Sequence, residues 1–176
     1  MASKEPEKMA LEISDLLQDK NWTTREKNLR SREEVSQIER DLGFKNGYYI
    51  NYFSQYGENN TDFIHVYHYV SVYPIVNSAI NMSYSFDTAK ENYKVGGSYE
   101  STNKKILSVS SLSDPFIGDF SIAYNVTVSD VTGFKESIYS ICFTKWDVAE
   151  VITIEGSRNN YEILKNLAKL AENKIA

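Results

Sequence analysis

From Phe63 to Tyr73 the chain alternates without interruption. Ile64, Val66, His68, Val70 and Val72 fall on one parity, and Phe63, His65, Tyr67, Tyr69, Ser71 and Tyr73 on the other. A period of two puts successive side chains on opposite faces, so this segment is committed to a long β-strand with one aliphatic and one tyrosine-rich face. A helix over the same residues would scatter both sets around its circumference. Tyr48–Tyr56 repeats the pattern, and the polar run Gly57-Glu-Asn-Asn-Thr-Asp62 between the two strands predicts a hairpin.

The same reading extends along the chain. Met9, Ile13, Leu16 and Leu17 predict a first helix over residues 4–18, and Trp22–Leu29 reads as an extended segment. Ser31 and Glu34 have the spacing of a capping box, predicting a second helix with Val35, Ile38 and Leu42 on its apolar stripe and Gly43 at its end. Pro74 closes the strand from Phe63, and Ile75, Val76, Ala79 and Ile80 open a third helix, with residues 94–103 as a loop. Ile106–Leu112, Phe120–Val128, Ile138–Trp146 and Val148–Ile154 predict strands, with Asp130–Gly133 and Trp146-Asp147 as turns. Gly156-Ser157 leads into a last helix whose apolar face is Ile163, Leu164, Leu167, Ala168, Ala171 and Ile175. Strands joined by hairpin-length turns predict an α+β fold, a twisted, mainly antiparallel sheet packed by helices. Residues 47–56 should pair with 62–73, and 137–146 with 148–155. Residues 1–176 form one domain, in which 1–10 are expected to be a flexible or post-leader segment.

Composition limits the function classes. A net charge of −5 gives no general attraction to nucleic acid or anionic lipid. The local basic run Arg25, Lys27, Arg30 and Arg32 is offset by Glu26, Glu33 and Glu34 and reads as a solvated face. No apolar run is long enough to span a bilayer as a helix, and the polar start has no signal-peptide pattern. A leader or anchor removed from the natural protein is compatible with that start. The single cysteine, Cys142, excludes an intramolecular disulfide and sits in a strand-like run, where a buried, inert thiol is expected.

Few residues are placed to carry chemistry. The two histidines, His65 and His68, are three apart on a strand and face opposite sides, so no shared metal ion is expected. His68 belongs to the aliphatic side as a core histidine. Gly96-Gly97 lacks the spacing of a phosphate loop, and no G-x-S-x-G elbow is present. Asp119, in Ile117-Gly-Asp119, is expected to bond backbone N–H groups at a glycine turn. Glu150 and Glu155 fall on opposite strand faces and make a poor acid–base pair. No cofactor and no catalytic residue are expected, and the chain reads as non-enzymatic.

Tyrosine is the unusual component: ten of the thirteen lie between Tyr48 and Tyr99. Tyrosine combines apolar area with a hydroxyl and suits half-exposed recognition surfaces. Tyr67, Tyr69 and Tyr73, with His65 at one end, are therefore the expected binding face, at least partly open. Asn21, Asn59, Asn81 and Asn125 begin N-glycosylation sequons, with Asn59 in the predicted hairpin turn the most accessible.

Several phrases occur together: Asn21-Trp-Thr23, Gly47-Tyr-Tyr49, Val72-Tyr-Pro74, Ser113-Asp-Pro-Phe-Ile-Gly-Asp-Phe-Ser-Ile-Ala-Tyr124, Phe143–Ile154 and Leu167-Ala-Lys-Leu-Ala171. On these, residues 11–175 resemble uncharacterised archaeal, methanogen-type exported or lipid-anchored proteins with a PsbP-like domain. The resemblance implies an α/β/α sandwich on the outer side of the cell. At the hairpin tip this chain carries Lys145-Trp146-Asp147 where the resembling proteins carry a more basic turn. The expected function is an exported or surface binding domain contacting a protein or cell-envelope partner. A small-ligand carrier with a pocket between sheet and helix is the alternative.

Overall fold

A computed structural model describes residues 5–58, 62–100, 102–156 and 161–175. The strands are β1 (Thr23–Arg30), β2 (Asn46–Tyr56), β3 (Asp62–Val72), β4 (Lys105–Ser111), β5 (Phe120–Ser129), β6 (Lys135–Lys145) and β7 (Val148–Gly156). The helices are α1 (Pro6–Met9), α2 (Gln37–Asp41), α3 (Val76–Ala89) and α4 (Tyr161–Lys174). All seven strands form one antiparallel sheet in the order β1-β2-β3-β7-β6-β5-β4. The hairpins expected at residues 47–73 and 137–155 are present. The connection containing α3 carries the chain from β3 to the far edge, and β7 then returns to fill the centre.

Helices pack on both faces. On one, Leu164, Leu167, Ala168 and Ala171 of α4 and the following Ile175 are buried in one core with Ile64, Val66, Val70, Ile141, Phe143, Ile152 and Ile154. On the other, α3 crosses β5, β6 and β7 and buries Ala79, Ser83 and Phe86. Small residues at 79 and 83 let the helix approach closely, so that Ser83 Oγ lies 3.3 Å from Cys142 Sγ. Burial pushes the Cys142 thiol up to about 12, and at neutral pH it is a packed neutral group.

Two helical expectations are corrected. Residues 4–18 are not one helix: α1 stops at Met9, and a single 3-10 turn follows at Ile13–Asp15. Met9, Ala10 and Leu11 are buried in succession, a pattern no single helix face can produce. The chain here runs extended over the sheet, where the Leu11 N–H donates to His68 Nδ1 at 3.1 Å and Tyr52 Oη donates to the Leu11 carbonyl at 2.9 Å. The second helix does not start at Ser31. The Ser31–Glu34 pair closes only a turn, and the working capping box is Ser36 with Glu39, one turn from the end of α2. Glu39 also accepts from Arg30 of β1 at 2.9 Å, which pins the box to the sheet and leaves Ile38 of the expected stripe half exposed.

Candidate functional site

The pairing register lines up one row of side chains across the middle of the sheet, on the α3 face. Tyr67 lies opposite Thr153, Thr153 opposite Ser140, and Ser140 opposite Tyr124. The centre of the row is small and polar, with Ser140 Oγ 2.8 Å from Thr153 Oγ1, and tyrosines stand on either side. In the next row the corresponding residues are Tyr69, Val151, Cys142 and Ile122, of which the last three pack in one cluster with Phe86 of α3. Where α3 ends, the following loop brings Tyr93, Tyr99 and Glu100 over the small-residue row. The result is a cleft of about 150 Å³ lined by Tyr67, Tyr69, Tyr93, Tyr99, Glu100, Tyr124, Ser140, Thr153 and Glu155.

Ring packing holds its walls. Tyr93 stacks on Tyr99 with centroids 5.3 Å apart, and Tyr124 is set between Tyr93 and Phe86. The Tyr93 hydroxyl donates to Glu100 Oε1 at 3.0 Å. On the opposite wall Tyr67 Oη donates to Glu155 Oε1 at 2.7 Å and lies 2.8 Å from His65 Nδ1, while His65 Nε2 meets Asn51 Oδ1. Burial of Glu155 works to raise its proton affinity. Hydrogen bonds from His65 and Tyr67, with the charge of Lys104, outweigh that and hold the carboxyl below its usual range. The tyrosines shift the other way: burial raises Tyr67, Tyr93 and Tyr99, and pushes Tyr124 up to about 12. All remain protonated donors at neutral pH.

Three of the four residues expected to form the binding face meet here, since Tyr67 and Tyr69 line the cleft and His65 supports it from one end. Tyr73 does not. It is fully buried with Phe44, Val35, Ala79 and Ala149, because the start of α3 and the α2 region close over that end of the strand. The residues not recognised in the sequence are Tyr93, Tyr99, Glu100, Tyr124, Ser140, Thr153 and Glu155. Their signal lies in the cross-strand register and in a loop conformation, neither of which local periodicity reports.

The other singled-out residues have structural partners. His68 is fully buried on the α4 face; the Leu11 N–H at Nδ1 leaves Nε2 to donate to Glu150 Oε2 at 2.9 Å. Glu150 and Glu155 therefore face opposite sides of β7, as their spacing requires. Asp119 accepts from the backbone N–H of Trp146 at 2.7 Å, a contact 27 residues away rather than a local one. Among the sequons, Asn21 and Asn81 are exposed, Asn125 is half-buried on β5, and Asn59 lies outside the described residues. Among the described residues, the hydroxyl bonded to His65 is the Tyr67 phenol, held protonated by burial. No helix among them is long and apolar enough to cross a membrane.

No protein-family model matches the chain, and no curated protein does. Two solved structures have a similar fold. The extracellular domain of PknH from Mycobacterium tuberculosis is 10% identical, with a TM-score of 0.59 over 92% of this chain and 93% of that one. An uncharacterised protein of Mycobacterium smegmatis, the Rv0999 ortholog, is 9% identical, with a TM-score of 0.52 over 97% and 96% of the two chains. The likeness extends over nearly the whole length in both cases, and the α+β fold read from the sequence is shared with an extracellular domain.

Proposed function

We propose that this chain is a non-enzymatic recognition domain working on the outer side of the cell, and that the tyrosine-lined cleft contacts its protein or cell-envelope partner. The observation that carries the reading is the cleft itself. Five tyrosines converge from β3, β5 and the loop after α3 on a floor of small hydroxyl side chains, where larger residues would have completed a packed core. Rigid aromatic groups with hydroxyl donors are the side chains that dominate recognition surfaces. The extracellular neighbour and the resemblance to exported or lipid-anchored proteins of the PsbP-like group support the compartment. The position of the cleft between the sheet and the loop following α3 favours a second reading, a carrier of a small ligand held there.

Both readings are tested with Tyr93→Ser, in the loop, and Ser140→Leu, which fills the floor. Binding to native envelope fractions should fall at least tenfold in both variants, while cooperative melting is retained. Full binding by both folded variants would remove the cleft from the interface. Recovery of the native protein from the cytoplasm alone would overturn the compartment.

A further inference from the structure

The lining of the cleft has one chemical character. Five tyrosines and two carboxylates, Glu100 and Glu155, line the space, and no lysine or arginine is among the described lining residues. Lys104, whose charge acts on Glu155, is not part of the lining and ion-pairs with Glu136, and His65 Nδ1 stands 3.4 Å from Glu155 Oε1 from outside the cleft. Glu155 is ionised at neutral pH, and Glu100 is exposed at the rim. Ring faces are the negative part of the aromatic quadrupole and attract organic cations, most strongly where water is excluded. The same sheet face already does this with the chain's own residues: the Arg30 guanidinium stands 5.2 Å from the Tyr69 ring centre and Arg25 stands 4.5 Å from that of Phe53. Those cations lie towards the β1 edge, outside the cleft. Inside, the described lining residues include rings and carboxylates and neither lysine nor arginine.

We infer that the cleft is a site for an organic cation, an alkylammonium or guanidinium group seated among Tyr67, Tyr69, Tyr93, Tyr99 and Tyr124 and neutralised by Glu100 and Glu155. The inference rests on the reading of the cleft as the recognition site and names the chemistry it selects. Size agrees. A cavity of about 150 Å³ holds a benzene-sized guest, and a trimethylammonium head is of that order. Glu155 and Glu100 already accept from the Tyr67 and Tyr93 hydroxyls, so it is their negative charge, not an unmet hydrogen bond, that suits a cation better than a neutral apolar guest. Such a group can belong to a small quaternary ammonium compound or to a lysine or arginine side chain of a partner.

The test is calorimetric titration of the whole chain with tetramethylammonium, with choline, with capped Gly-Lys-Gly and Gly-Arg-Gly peptides, and with 3,3-dimethylbutanol as the neutral counterpart of choline. At least one cation should bind with one-to-one stoichiometry and at least tenfold more tightly than the alcohol. Glu100→Gln, an exposed substitution that leaves the core untouched, should weaken that cation about tenfold without affecting melting. Preference for the free ammonium compounds assigns a small ligand, and preference for the peptides assigns a partner's side chain. Equal binding of choline and the alcohol, unaffected by Glu100→Gln, would overturn the cation assignment and leave the cleft as a binding site. No binding of any cation would also overturn it, with the envelope-binding experiment on Tyr93→Ser and Ser140→Leu deciding separately whether the cleft recognises anything else.

Discussion

Glu150 and Glu155 stand on one strand with opposite proton affinities. Burial dominates at Glu150 and raises its carboxyl above the ordinary value of 4.5, although His68 pulls the other way. At Glu155 the donors win over burial and the carboxyl is lowered. A raised native value means that the folded state holds the proton more tightly than the unfolded one. The stabilisation from Glu150 is therefore complete below the unfolded value and is lost as pH rises through the native value. For Glu155 it is complete above the unfolded value and is lost as pH falls through the native value. Urea midpoints measured from about pH 3 to about pH 8 should show the two signs. Glu155→Gln should lower stability mainly at neutral pH, and Glu150→Gln should remove a decline on the alkaline side of the carboxylate range. Parallel profiles for the two variants would refute the assignment. At this scale the sequence was informative about direction: parity alone separates His65 from His68 and Glu150 from Glu155. It was silent about partners, because His68 and Glu150 are 82 residues apart and only β3–β7 pairing joins them.

Among the elements, periodic segments were legible and short capped ones were not. Every strand from β2 to β7 overlaps its expected run, since alternation extends over many residues and each violation would bury a polar group. The segment before β1 misled because Met9, Ile13 and Leu16 satisfy helical spacing while the intervening Ala10 and Leu11 are also buried. The Ser113–Asp119 segment shows how a loop can be as constrained as a strand. Asp114 Oδ1 accepts from Phe116 N–H and from Ser121 Oγ, Ile117 is buried, and the Asp119 N–H donates to the Thr144 carbonyl at 2.7 Å. Gly118 has φ +67°, and an added Cβ would stand 2.2 Å from that same Thr144 oxygen. Gly118→Ala should therefore cost about 2–4 kcal/mol in thermal or chemical unfolding, from left-handed backbone strain together with overpacking. A loss below about 0.5 kcal/mol would show that the loop can move away from β6 freely.

For the whole molecule, the strand order divides the sheet into β1-β2-β3 and β4-β5-β6-β7, each internally joined by neighbouring hairpins except at the entry to β2 and β5. Among the described residues, their strand-to-strand junction is β3 against β7. Residues 1–92 and 93–176, produced separately, should each be poorly structured. Mixed, they should associate one-to-one with recovery of a cooperative melt; two independently folded fragments, or no association, would contradict this division. The α+β class was readable in advance, but the position of β7 was not, because adjacency of distant strands leaves no periodic trace. That position has a kinetic consequence. Pairing β3 with β7 closes the longest loop in the sheet, so it is expected to be the late, entropically slow step of folding. Its cross-strand polar contacts, His68 with Glu150 and Tyr67 with Glu155, can form only then. The cleft draws Tyr67 and Tyr69 from one side of this junction and the rest of its lining from the other or from the crossover loop. An occupant would thus act as a clamp across the last-formed seam, slowing its opening in proportion to occupancy and making amide exchange along β3 and β7 a direct gauge of whether the domain is loaded.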